Sequence, residues 1–435
     1  ENVVRLPLKK SATIVHGNAL RIDWNTVVPA EKLSYILGNP PFIGSKLMTA
    51  GQREDLLAVA GGLKGAGVLD FVSAWYLKAA DYIRQADALA RHSRESGPLL
   101  TDERLSHRSS LEESAGGIRV AFVSTNSICQ GEQVGVLWGE MLRRGCRIFF
   151  AHRTFRWNNE ARGVAAVHCV IVGFALGEVA PKQLFDYEDI AGEPHRLLAG
   201  NINPYLVDAA DVLLPNRSKP ICDVPPLKFG NQPIDGGYLI LDPEARRELI
   251  EACPAAEDWI RPFIGAAEYI NGEERYCLWL EDVSPSQIKQ CPLAIRRIEG
   301  VRRFRLESKR EATRELATTP TRFAFISHEP QRYVIVPSVS SERRYFIPIG
   351  FMDPTVIASN LCLIAPSATL FHFGVMTSTM HMAWVRTVCG RLKSDYRYSA
   401  GIVYNNFPWP EPLDDKARAA IEAAAQAVLD ARAQF

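Results

Sequence analysis

Residues 34–42, SYILGNPPF, restrict the possible fold more than any other stretch of the chain. An apolar run is stopped there by two consecutive prolines. Pro40 drives Asn39 out of helical geometry, and Pro41 does the same to Pro40. Neither proline has an N–H to give to a hydrogen-bond ladder. The run therefore reads as a buried strand ending in a stiff, extended tetrapeptide, Asn39-Pro40-Pro41-Phe42. Its carbonyls and side chains cannot relax into regular structure, which suits a loop that holds something flat.

Strand and helix signals alternate around this loop. SATIVHGN (11–18) reads as a second buried strand ending at turn residues, and IRVAFVSTNS (118–127) as a strand running into a polar turn. RIFFAHRTF (147–155) and VAAVHCVIVGF (164–174) read as an antiparallel pair across RWNNEARG. Between them, residues 69–83 place Phe71, Trp75, Leu77, Ala79 and Tyr82 at helical spacing. Five strands with intervening helices predict an α/β layer over 1–183. A polar stretch poor in aromatics, 84–117, reads as a flexible insertion. From 184 to 360 the chain is rich in Pro and Gly, with short β signals and one charged helical stretch, which predicts an α+β domain. Residues 361–435 read as a helical segment containing an aromatic, proline-rich loop, YRYSAGIVYNNFPWPEP.

The formal net charge of +1 conceals an uneven distribution, with twelve Lys/Arg against six Glu between Arg296 and Arg344. That region reads either as a solvated helix of mixed charge or as a surface for a phosphate backbone. Nine cysteines without a CxxC pair fit reduced thiols of a cytosolic protein, and no metal site is expected. The apolar string VHCVIVGFAL is far short of a membrane span. ENVVRLPLKK lacks the apolar core of a signal peptide.

GNPPF at the end of a buried strand resembles motif IV of the S-adenosylmethionine-dependent amino-methyltransferases, in particular the N6-adenine DNA enzymes. HGNALRIDW resembles their motif III region. GAGVLDFVSAWYLKAADYI, RVAFVSTNSICQGEQVG, RTFRWNNEARGVAAVHCVIVGF and RLKSDYRYSAGIVYNNFPWP resemble the methyltransferase and distal portions of MmeI-type (type IIG/IIL) restriction-modification proteins. Apart from 84–117, the resemblance covers almost the whole chain. It implies a partial Rossmann-like methyltransferase sheet, then a target-recognition domain, then a C-terminal helical segment. The expected partner is double-stranded DNA and the expected cofactor S-adenosyl-L-methionine, in a cytoplasmic bacterial defence enzyme.

The chemistry of such a transfer accounts for the loop. Adenine's exocyclic amine is a poor nucleophile because its lone pair is delocalised into the ring. Two acceptors fixed about 3 Å from the NH2 group draw that nitrogen towards sp³ geometry, and an aromatic face holds the base plane. Asn39 and Pro40 are the candidate acceptors, Phe42 the candidate stacking plate, and the base has to leave the duplex first. The resemblance places Asn18, Ala19 and Asn39 beside the cofactor; HGNAL also reads simply as a strand-to-helix turn. In the recognition region, the resemblance favours Glu342 and Arg344, with Arg343 beside them, as readers of a C·G pair from a short β-ribbon. A charge-protected hairpin edge is the other reading. Arg302, Arg303, Arg305, Lys309 and Arg310 would grip phosphates. The tyrosines and Trp409 around Asn405 and Asn406 read either as a lining for an unstacked base or as packing between the C-terminal helices and the catalytic sheet.

Two features depart from the family. No glycine-rich strand-to-helix turn precedes residue 39, and the chain starts at Glu1 without a methionine. The expectation is a piece of a longer protein that binds cofactor poorly without its N-terminal portion. No nuclease site is convincing, since the Glu307-Ser308-Lys309 triplet lacks a placed Asp. Three functions stay open: adenine-N6 methylation of DNA, a non-catalytic DNA-specificity module, and methylation of a protein glutamine, which shares an NPP loop.

Overall fold

The strand stopped by the double proline is β1 (Tyr35–Gly38), and among the described residues it pairs only with β2 (Arg119–Thr125), in parallel, with Gly38 opposite Phe122. β2 alternates outward and buried residues, so Val120 and Phe122 reach the core. The computed structural model describes residues 12–95, 117–157, 167–411 and 414–434, and contacts divide the chain into two units between Pro215 and Asn216.

In the first unit β3 (Cys146–Trp157), β4 (Val167–Leu176), β5 (Lys182–Asp186) and β6 (His195–Ala199) complete a six-stranded sheet ordered β1-β2-β4-β3-β5-β6. β4 runs antiparallel to both β2 and β3, and β5 parallel to β3. Two reversals restore direction, so the carboxyl ends of β1, β2, β3 and β5 share one edge. Open α/β sheets place their ligands at that edge. Helix α1 (Ala50–Ala60) starts with a Thr49–Gln52 capping box and stops at Gly61, whose φ of +57° supplies the left-handed C-cap. Helix α2 (Ser73–Glu95) lays Ala74, Tyr76, Leu77 and Ala80 against the sheet, Tyr76 stacking on Phe174 at 5.5 Å. Helix α3 (Glu132–Arg143) buries Val134, Leu137, Trp138 and Met141.

Several sequence expectations meet a different outcome. Residues 12–18 form no strand, and Ile14 and Val15 are exposed, because no described strand offers them a ladder on that side. The stretch expected to be a flexible insertion from 84 instead continues α2 to Glu95; the rest of that expectation, 96–116, lies outside the described residues. So do Asn158 and Asn159 and most of the β3–β4 turn. The compositional change near 184 falls inside β5, which pairs with β3 and, on its other side, with β6, so the first sheet runs on past that point and the first unit ends at Pro215.

The second unit contains three smaller sheets. Strands β7 (Lys228–Phe229), β8 (Ile240–Leu241), β9 (Ile260–Ile264) and β10 (Tyr276–Leu278) precede helix α4 (Pro292–Leu306). They are followed by β11 (Tyr333–Pro337), β12 (Val339–Ser340), β13 (Gly350–Met352), β14 (Ile357–Ala358) and β15 (Cys362–Pro366). The sheets run β14-β9-β10-β8, β13-β11-β15-β7 and β12-β17-β16, the last closed by β16 (Gly390–Leu392) and β17 (Asp395–Arg397). β11 and β15 are buried throughout, as a central apolar pair requires. Three helices accompany β15–β17: α5 (Leu370–Met376), α6 (Thr379–Val388) and α7 (Asp415–Arg432). Gly374 lets α5 approach α7, since a Cβ there would sit 3.0 Å from Ile421.

Candidate active site and candidate nucleic-acid interface

At the carboxyl end of β1, Pro40 is buried while Asn39 projects into solvent. The Asn39 amide and the Pro40 carbonyl have no hydrogen-bond partner among the described residues, so both acceptors are available to a ligand. They border a cavity of about 290 Å³ whose aromatic walls are Trp24, Trp75 and Phe122. Gly38 belongs to its lining, and a Cβ there would press within 3.1 Å of the Phe122 ring. Phe42 is half-buried and does not line this cavity. A second, largely apolar cavity of about 370 Å³ shares Trp24, Ile36 and Leu37 with it and continues to Val15, Gly17 and Ala19.

Asn18 and Ala19 are held close to this space by a polar cluster. The Asn18 amide donates to Asp55 Oδ2 at 2.8 Å, and its oxygen accepts from the Leu20 N–H at 2.9 Å. Arg21 Nε donates to Asp55 Oδ1 at 2.7 Å. Burial pushes the Asp55 carboxyl up, but the bonds from Arg21 and Asn18 outweigh it and leave its pKa below the usual value. Trp24 Nε1 donates to the Ala19 carbonyl at 2.9 Å, and the Lys78 ammonium donates to the carbonyls of Leu20 and Ile22 while lying 5.4 Å from the Trp24 ring. The Asn18 side chain thus shapes the turn with both ends of its amide. What it leaves facing the cavity is the backbone around Ala19 and the Trp24 ring.

The far end of the Asn39 loop is fixed by three bonds. The Phe71 N–H donates to the Ile43 carbonyl and the Ser45 N–H to Asp70 Oδ1, each at 2.9 Å, and Arg53 donates to the Ser45 carbonyl. Trp24, Trp75, Asp55 and Asp70 were not singled out from the sequence as site residues. Trp75 carries the helical period of α2 and reads as core, and Asp70 three residues before a helix reads as a cap. At the same sheet edge Phe155 and Tyr187 stack at 5.5 Å, beside an exposed Trp157.

In the second unit the expected ribbon is only two residues long, Val339–Ser340, and the charged residues follow it in an exposed turn. The turn is held through its own backbone groups: the Arg344 N–H donates to the Ser341 carbonyl at 3.1 Å, the Arg343 N–H to the Ser341 hydroxyl oxygen at 3.3 Å and the Glu342 N–H to Asp395 Oδ1 at 3.4 Å, while Arg386 donates to the Tyr345 carbonyl at 2.9 Å. The side chains of Glu342, Arg343 and Arg344 therefore project, and Tyr345 is 81% exposed beside them. Arg302 and Arg303 are exposed towards the end of α4, and Lys309 and Arg310 on the bend after it. Among the described residues no hydrogen bond or ion pair joins this group to the Glu342–Arg344 turn. Arg305 does not belong with the phosphate-gripping set: it is fully buried and donates to five carbonyls, those of Pro233, Ile234, Leu316, Thr319 and Arg322.

The aromatic loop near 400 is packing. Tyr398, Tyr404, Phe407 and Trp409 are buried. Asn405 donates to the Arg217 carbonyl, Arg217 Nε donates to Asn406, and the Tyr404 hydroxyl donates to the Pro225 carbonyl. The loop thus packs on residues 217–225 of its own unit. No helix among the described residues is long and apolar enough to cross a membrane, and no three ligating side chains among them come together.

Comparison with known proteins gives the family. The chain matches the model of the MmeI DNA-methyltransferase domain over residues 1–95 and 107–186, and that of the MmeI target recognition domain over 208–411. It is 40% identical over 437 residues to DNA methyltransferase A of Bacillus subtilis (strain 168), covering 99% of this chain and 45% of that protein. Its structure resembles that of the Type IIL restriction-modification enzyme MmeI solved in complex with DNA, at 47% identity and a TM-score of 0.84, covering 99% of this chain and 54% of that one. The chain therefore spans about half the length of the relatives it matches.

Proposed function

This chain belongs to the MmeI family of restriction-modification DNA methyltransferases, carrying its methyltransferase and target recognition domains, and from that premise we propose that it transfers a methyl group from S-adenosyl-L-methionine to adenine N6 in double-stranded DNA. The observation that carries the reading is the pair of unpartnered acceptors, Asn39 Oδ1 and the Pro40 carbonyl, fixed on a rigid strand end beside an aromatic cavity. When bound, S-adenosylmethionine supplies an electrophilic methyl group.

The residues fit such a cofactor. The aromatic walls suit a flat purine, and cavities of about 290 Å³ and about 370 Å³ that share Trp24, Ile36 and Leu37 are in the range of small-molecule pockets. Trp24, Trp75 and the backbone around Ala19 would hold it. Asn39 and Pro40 would accept from the target amine, localising its lone pair and orienting it. Phe42 would contact the flipped base outside the cavity. In the second unit, Glu342 and Arg344 would read base edges, Arg343 would reach base or phosphate, and Arg302, Arg303, Lys309 and Arg310 would neutralise phosphates. The number of arginines in this recognition half argues against a protein substrate.

Asn39→Ala tests the reading. Methylation of duplex DNA should fall by about 10²–10³-fold, the cost of one lost transition-state hydrogen-bonding group. DNA affinity and its salt slope should stay unchanged. Full activity in Asn39→Ala would remove the loop from the chemistry. Salt-sensitive DNA binding with no methylation by the parent protein would favour a specificity module.

A further inference from the structure

We infer that Asp70 is a positioning residue that sets the pose of the Asn39 loop by tying it to the neighbouring strand end; this rests on the catalytic reading of that loop. Asp70 is 8% exposed, and among the described residues no ion pair neutralises it. Its carboxylate is divided between two elements. Oδ1 accepts from the Ser45 N–H at 2.9 Å, at the far end of the loop that begins with Asn39. Oδ2 accepts from the Ser127 hydroxyl at 2.5 Å and, more weakly, from Thr125 at 3.5 Å, and those two hydroxyls bond each other at 2.8 Å. Thr125 is the last residue of β2, the strand that pairs with β1.

The Asp70 backbone is fixed as well. Its N–H donates to Gln133 at 2.9 Å, and the next N–H, that of Phe71, donates to the Ile43 carbonyl at 2.9 Å. An aspartate just before a helix ordinarily caps it. Here the side chain turns away from α2, and only the Asp70 carbonyl serves the helix start, accepting from the Ser73 N–H at 3.0 Å. One carboxylate thus joins the loop after β1, the turn after β2 and the entry of α2. A buried carboxylate is costly unless its acceptors are filled, and these are filled by groups whose placement fixes the loop. Asp70 touches neither Asn39 nor Pro40; it acts through Ser45.

The test uses Asp70→Ala and Asp70→Asn in the full polypeptide. Asn can accept from the Ser45 N–H with its oxygen and donate to Ser127, whose hydroxyl can turn to accept, so it keeps the tether without the charge. Asp70→Ala should lower kcat for DNA methylation by about 10²-fold, the cost of a displaced reacting group, with KM for DNA within about threefold. Asp70→Asn should restore most of kcat. Independently of activity, hydrogen exchange at the Ser45 amide should accelerate about tenfold in Asp70→Ala and not in Asp70→Asn. Unchanged Ser45 exchange in Asp70→Ala, or an Asp70→Asn as inactive as Asp70→Ala, overturns the inference. An inactive Asn39→Ala beside a fully active Asp70→Ala overturns this inference alone. An active Asn39→Ala overturns the catalytic reading and this inference with it.

Discussion

At the scale of single residues, Arg305 shows how periodicity can outrank composition. It stands in the most basic stretch of the chain, yet Ala294, Ile298, Val301 and Arg305 follow one helical stripe, and that stripe faces the core built around Leu239, Trp259 and Val301. The signal was present in the sequence but was masked by the density of charge. Five carbonyls around the guanidinium depend on it for their donors. Arg305→Ala should therefore cost on the order of 3–5 kcal/mol, read as a lower urea midpoint. Arg302→Ala, on the exposed side of the same helix, should stay within about 0.5 kcal/mol. Equal losses from the two would contradict the assignment. The Asn39 loop was legible because two prolines leave few alternatives. The Asp70 tether was not, because its partners lie 25 and 57 residues away in sequence.

At the scale of elements, the strands with clear patterning were legible and the short ones were not. β2 and the β3–β4 pair declared themselves through alternation or a long apolar run, whereas β5 and β6, five residues each, are defined mainly by their ladders. β1 is the informative case. Among the described residues it is an edge strand, with Tyr35 61% and Leu37 75% exposed. An apolar edge of this kind is a template for another strand. Leu37→Lys in the 435-residue chain should lower concentration-dependent association, measured by light scattering, while changing stability by no more than about 0.5 kcal/mol. Unchanged scattering would show that this edge is not what associates.

At the scale of the whole molecule, the two units carry different acid-sensitive groups. In the first, hydrogen bonds from Arg143, opposed by burial and reinforced by Arg144, hold the Glu140 carboxyl down at about 2. An unfolded glutamate titrates near ~4.3, so this contribution is complete above that pH and is lost as pH falls towards about 2. In the second unit His381 is enclosed by Tyr398 and Phe407, bonded through Nε2 to the Tyr398 hydroxyl at 2.8 Å, and burial pushes its pKa down to about 3. The unfolded imidazole takes its proton near ~6.5. Below that pH the unfolded chain binds a proton that the folded chain refuses, so stability drains away from about 6.5 down to about 3. The second unit should thus weaken between pH 7 and 4 while the Glu140 contribution is nearly intact. His381→Phe keeps a ring in the site and removes the titration. Its urea midpoint is expected to be lower at pH 7, because Tyr398 loses its partner, but to change less between pH 7 and 4 than that of the parent. Glu140→Gln should flatten only the fall below about pH 4. A His381→Phe midpoint that falls in parallel with the parent over pH 7 to 4 would place the sensitive group elsewhere.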